Sequence, residues 1–253
     1  MTGLKGFVRT IKLDKPSLSN NISDAQRLEL GIKQSLGAKK VQIPLSVLRR
    51  LPEYLRAWDW ETRVILFRDR QTWFLLDLLP PDANNPVIGA AIDIGTTRVV
   101  IALVDLETGQ DLAEAGFDNP QKVVGPDILA RIHHAGQKGG LAELQALIID
   151  GVNIHLADLC TTCGLSSADI YIITGAGNTA MTHLFIGVEA FNIIKEPYIP
   201  CVNIPDTMDA SELGLNIHEN GKVFLFPNIG SYFGGDLIAG ILHADLDQKE
   251  SPC

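Results

Sequence analysis

The stretch "VIGAAIDIGTTRVVIALVDLETGQ", residues 87–110, holds two apolar runs around Asp93-Ile94-Gly95-Thr96-Thr97. An acid, a glycine and two hydroxyls suit one chemistry, the binding of phosphate together with magnesium. Gly95 would let the backbone approach closely, the amides and hydroxyls of Thr96 and Thr97 would donate to phosphate oxygens, and Asp93 would hold Mg2+ through water. A dinucleotide or Walker loop is a poor account, because those loops run into a helix and here a β-like run follows. A plain β-hairpin explains the same residues differently, with Gly95 at positive φ and Asp93 and the threonines as turn formers.

Two further glycine-containing segments carry candidate groups. "TGAGNTAMTHL" places Gly175, Gly177, Asn178 and Thr179 where a strand meets a helix start, a place that receives an anion or is capped by Asn178 or Thr179. "SYFGGDLIAG" sets Asp236 behind Gly234 and Gly235 at another helix start, where a carboxylate favours the macrodipole. Met181 reads as core, and His183 lies one turn into its helix. Asn119 and Gln121 flank Pro120 in a polar loop that could line a cleft or form a simple turn. His133 and His134 are adjacent, so on a helix they diverge by about 100° and do not share a metal.

The elements that must position these groups fall into two sets. In residues 1–85, "KGFVRTIKL" reads as a strand. "SDAQRLELGIKQSLG" is a helix opened by a Ser23/Gln26 capping box and closed at Gly37. "PLSVLRRLPEYLRAW" reads as short helical pieces broken at Pro52, and "TRVILFRD" and "TWFLLDLL" as strands joined near 69–71. This is a small α+β domain, and "PPDANNP" at 80–86 is its linker.

From Val87 the order is three strands, then helices at "DILARIHHAG" and "LAELQALIIDGVNIHLADLC". Strand "DIYIIT" leads to the helix in "GAGNTAMTHLFIG". After an irregular proline-containing stretch, strand "KVFLFP" precedes the helix "GGDLIAGILHADL". Hairpin strands followed by strand–helix alternation predict an α/β mixed sheet over residues 86–253, antiparallel at first and parallel later. That is a ribonuclease H-like order.

With this order, the Asp93–Thr97 turn resembles the first phosphate motif of the ATPase superfamily that contains actin, sugar kinases, acetate kinase and heat-shock chaperones. The segments "DIGTTRVVIALVDLETGQDLAEAGFDNPQKVVGPDILARI", "TGAGNTAMTHLFIGVE" and "FPNIGSYFGGDLIAGIL" are similar to the ATPase domain of the reductive activators of corrinoid proteins. Residues 1–85 resemble the small middle domain that precedes it in that family. Departures include Arg98 where a third threonine is usual, and Pro126 and Ala130 in the "Gly-Ala-Asp-Val-x-Ser-Arg-Ile" pattern.

The resemblance implies ATP and Mg2+ as cofactors and return of a Co(II) corrinoid protein to Co(I) by a reduced electron donor. It implies nucleotide contacts from Asp93, Gly95, Thr96, Thr97, Gly177, Asn178 and Gly235. Asp236, by analogy with sugar kinases of the superfamily, would face the γ-phosphate as base or water-orienting group, with Asp93 as its catalytic companion. The family's [2Fe–2S] domain and a second ATPase lobe find no counterpart in this sequence. The expectation is therefore a fragment that contributes one half of a nucleotide cleft and a partner-binding surface, inactive alone because catalysis needs groups from both sides. Other readings are a lobe of an acyl or sugar kinase and a non-catalytic interaction module.

Composition narrows the partners. The net charge of −9 divides into +5 over residues 1–85 and −14 over the remainder, and so acidic a main unit argues against nucleic acid. No apolar run reaches the roughly 20 residues of a membrane span, and a secretory signal is lacking. A cytoplasmic protein is expected, with a homodimer left open. Cys160-x-x-Cys163 is at most half of a metal site, and with Cys201 and Cys253 distant these read as reduced thiols.

Overall fold

The computed structural model describes residues 8–244. Cys253 and the start of the "KGFVRTIKL" strand lie outside them, as does the end of the last predicted helix.

The N-terminal unit is built on a four-stranded sheet of order β1-β3-β4-β2. Strand β1 (Val8–Lys12) pairs antiparallel with β3 (Glu61–Asp69), β3 with β4 (Thr72–Leu79), and β2 (Lys40–Gln42) runs parallel to β4. Helix α1 (Asp24–Leu36) carries the expected capping box, with Ser23 and Gln26 satisfying each other's backbone amides, and Gly37 closes it at φ 65°.

Helix α2 (Leu45–Ala57) corrects the sequence reading, because it runs unbroken through Pro52. A proline inside a helix costs about 3 kcal/mol, and burial of Val47, Leu51 and Leu55 on one face offsets it. These residues join Leu28, Ile32, Val64 and Leu75 in one apolar core.

The second unit is a six-stranded mixed sheet of order β7-β6-β5-β8-β10-β9. Strands β5 (Ile88–Ile94), β6 (Arg98–Asp105) and β7 (Asp111–Asp118) are antiparallel neighbours. Strand β8 (Ile170–Gly177) is parallel to β5, and β10 (Lys222–Leu225) is parallel to β8. A two-residue edge strand, β9 (Met208–Asp209), completes the sheet within the stretch expected to be irregular. The single helical turn α6 (Phe191–Ile194) lies in the same stretch.

Ile88, Ala90, Ile92 and Ile94 of β5 point to one face and pack with Leu144, Ile148, Val152 and Leu156 of α4 (Gly140–Thr162). Helices α3 (Ile128–Ala135) and α5 (Thr179–Phe185) lie on the same side. Alternation then sends Ala91 and Asp93 to the opposite face, where α7 (Gly235–His243) lies.

A third apolar cluster belongs to both sheets. Ile65, Phe67 and Leu76 from the first pack against Val87, Leu106, Tyr171 and Ile172 from the second. Polar contacts cross at the same seam: Asn220 Nδ2 donates to Leu76 O at 2.9 Å, and Tyr171 Oη to Asp77 Oδ2 at 3.4 Å.

Candidate functional site

Strands β5, β8 and β10 run in parallel, so their C-terminal ends open on one edge of the sheet, the edge at which α/β folds receive ligands. The register pairs Asp93 with Ala176 and Ile94 with Gly177. This brings the Gly95–Thr97 turn beside Asn178. The chain leaving β10 reaches the start of α7 at the same edge, where a Cβ on Gly234 would fall 2.4 Å from Asn178 Cα and 2.7 Å from Asp236 Oδ1. The sequence-predicted residues Asp93, Gly95, Thr96, Thr97, Gly177, Asn178, Gly235 and Asp236 thus come to this edge.

The turn is held from behind. Asn119 Nδ2 donates to Gly95 O at 2.8 Å, Arg131 Nη2 to Thr96 O at 2.7 Å, and the Asn119 amide to Thr97 O at 2.8 Å. In a trans peptide the N–H points opposite to the C=O. Fixing the carbonyls of Gly95 and Thr96 therefore directs the amides of Thr96 and Thr97 to the other side. Among the described residues neither amide donates a hydrogen bond.

Gly95 has no positive φ, contrary to the hairpin account. It is glycine for space, since a Cβ would lie 2.2 Å from Arg98 O.

Asn119 and Gln121 do not line a cleft. Both are fully buried, and Asn119 Oδ1 accepts from the Gln121 amide at 2.9 Å to cap a short 3-10 turn. Arg131, read only as part of the helix "DILARIHHAG" and of a family-like segment, is also fully buried. The pattern "DNPQ" was visible in the sequence, but the inward orientation of its amides depends on the turn folded against it.

Asn178 serves two ends. Its Oδ1 accepts from the Met181 amide at 3.0 Å and caps α5, while its Nδ2 donates to Thr96 Oγ1 at 3.1 Å. Behind it, His183 is fully buried. Its Nε2 accepts from the Val202 amide at 3.4 Å, which leaves the proton on Nδ1 to bond Thr179 O at 2.7 Å. Burial pulls this imidazole below its ordinary value, so it is neutral and structural.

Asp93 and Asp236 line one cavity of about 380 Å3 with Ala91, Ala102, Ala176 and Phe226. Partial burial, and secondarily the charge of Asp236, push the Asp93 carboxyl above its ordinary value. Asp236 sits in the first turn of α7, and its Oδ1 accepts from the Leu237 amide at 2.8 Å. Sequence reasoning missed Asn228, which is buried and accepts from the Gly235 amide at 2.9 Å. Its Nδ2 has no partner among the described residues.

This donor set fits a nucleotide with magnesium. Two unbonded amides and the Thr96 and Thr97 hydroxyls are suited to phosphate oxygens, and two carboxylates that repel each other are suited to a hard cation that keeps its waters. Among the described residues no three metal-ligating side chains converge. Cys160, Cys163 and Cys201 are free thiols, Cys160 within the core.

The sheet order defines an α/β ribonuclease H-like lobe of the actin-related class preceded by a small α+β unit. The RACo linker region matches residues 8–85 and the RACo middle region matches residues 88–249. The chain belongs to this family, the reductive activators of corrinoid proteins.

A solved relative, "Reductive activator for corrinoid,iron-sulfur protein", superposes with a TM-score of 0.90 at 30% identity over 96% of this chain. The corrinoid activation enzyme RamQ of Eubacterium limosum is 26% identical over 226 residues, or 87% of this chain. The chain spans 37% of the length of RamQ and 39% of the solved relative. No helix among the described residues is long and apolar enough to cross a membrane.

Proposed function

We propose that this chain forms one wall of an ATP-binding cleft in an activator that returns a Co(II) corrinoid protein to Co(I). The observation that carries the reading is the turn itself, whose carbonyls are anchored by Asn119 and Arg131 while the amides of Thr96 and Thr97 remain unbonded. Those amides, the two threonine hydroxyls and Asn178 would hold phosphate oxygens. Asp93 would orient the waters of Mg2+, which neutralises phosphate charge when bound. Asp236, across the same cavity, would act on the γ-phosphate side as base or water-orienting group.

In the reaction, one electron passes from a reduced donor to cobalt, converting Co(II) to Co(I). The corrinoid belongs to the partner protein. Nucleotide binding would favour the arrangement in which donor and corrinoid approach. Residues 1–85 and 86–253 would act as two units of this assembly, in a cytoplasmic setting.

Calorimetric titration of Mg-ATP and ADP into the chain and into Asp93→Ala tests the cleft. Binding that Asp93→Ala weakens supports the reading, and equal affinity for both proteins removes Asp93 from it. In an activator of the full length of the relatives, phosphate release should rise on adding a corrinoid protein. A rise with small acyl or sugar acceptors instead would favour a kinase.

A further inference from the structure

Arg131 is a buried charge that no carboxylate among the described residues answers, and Arg27, held by three backbone carbonyls in the first unit, is another. Arg131 is fully buried, and its guanidinium meets four acceptors: Gly125 O at 2.9 Å, Gln121 Oε1 at 3.2 Å, Met181 Sδ at 3.4 Å and Thr96 O at 2.7 Å. All four are uncharged. Among the described residues no carboxylate forms an ion pair with it. Asp127 is near enough for its charge to be felt, but its Oδ1 caps α3 by accepting from the Ala130 amide at 2.8 Å. Burying a cation without an ion-pair partner is costly, and the hydrogen bonds of the Arg131 guanidinium offset that cost only in part.

The position of Arg131 gives that charge a use. Arg131 Nη2 bonds the carbonyl of Thr96, and the same peptide carries the Thr97 N–H on its far side. A positive charge at the carbonyl end polarises that peptide and strengthens the Thr97 N–H as a donor. A neutral side chain of the same shape would hold the carbonyl without this field.

We propose that Arg131 is a positioning residue of the turn and that the anion bound by the turn is its missing counter-charge. The inference rests on the phosphate-turn reading above. It predicts that neutralising Arg131 from behind weakens anion binding even when the turn keeps its shape. Gln121→Glu does this, placing a carboxylate where Gln121 Oε1 now lies, 3.2 Å from Arg131 Nη1.

The test uses the whole chain and sodium tripolyphosphate, followed by calorimetry, with circular dichroism to confirm folding. Gln121→Glu should weaken tripolyphosphate by about tenfold or more, on the scale of a charge pair partly shielded by protein. Arg131→Met should lose binding, and Arg131→Lys should restore part of it. Full affinity in Gln121→Glu, or in a folded Arg131→Met, overturns the role of Arg131 and leaves the phosphate turn standing. No binding to the unaltered chain of either tripolyphosphate or ATP overturns both.

Discussion

Asn178 Nδ2 donates to Thr96 Oγ1 across 3.1 Å, joining the start of α5 to the turn after β5. The two residues lie 82 positions apart in the chain. Their contact makes the helix cap and the turn one structural element.

The two tasks of Asn178 separate by substitution. Asn178→Ala removes the cap and the bridge, and should destabilise the chain by about 1 kcal/mol while weakening nucleotide. Asn178→Ser keeps a capping oxygen but lacks the amide, so stability should stay nearly unchanged while affinity falls about fivefold. Urea denaturation and calorimetry read the two effects separately. Equal affinity loss and no stability difference between the variants would show that the cap is not a separate contribution.

Gly95→Ala should open the turn. The added Cβ would meet Arg98 O at 2.2 Å, and the obstacle is backbone. A cost of about 2 to 3 kcal/mol is expected in urea denaturation, together with loss of nucleotide binding. A stable variant with unchanged affinity would mean that the turn relaxes freely.

Asp93 sets a pH dependence. Its carboxyl titrates above the ordinary 3.8 in the folded chain, so the folded state holds that proton more tightly than the unfolded state. Stability from this group therefore declines as pH climbs from 3.8 through the folded value. Asp236→Asn removes the lesser cause and leaves partial burial, so the midpoint should move down yet remain raised. Carbon-13 NMR of the Asp93 carboxyl measures it. An unmoved midpoint would show that the two carboxylates do not share a field.

Tyr171 sets another at the alkaline end. Burial first, then the charge of Asp77, push its phenol well above its ordinary 10. Above that pH the unfolded chain loses the proton and the folded chain keeps it, so stability falls as pH rises from about 10 towards the folded value. Tyr171→Phe should flatten this part of the alkaline unfolding curve, followed by denaturant midpoints between pH 9 and 11 (about one unit either side of the free phenol). An identical alkaline slope in the variant would assign the loss to other groups.

Local chemistry was legible in the sequence where it acts locally. The Ser23/Gln26 box, the αL stop at Gly37 and the β3–β4 hairpin all formed as their residues required. So did the antiparallel start and parallel continuation of the large sheet. Strand β2 was not legible, because three residues become a strand only by pairing with β4, some 30 positions on. Pro52 misled because its local cost is plain in sequence and the burial of Leu51 and Leu55 is not.

The candidate site divides along the same line. Asp93, Thr96 and Asn178 are legible because acids, hydroxyls and amides next to glycines announce themselves. Arg131 is hidden because a basic residue in a helix ordinarily faces water. Its burial arises from Thr96, 35 positions away.

The apolar seam of Ile65, Phe67, Leu76, Val87, Leu106, Tyr171 and Ile172 makes the two sheets share one buried surface. A linker cut at 80–86 would not release two free bodies, since the side chains on both sides would still be shielded by one another.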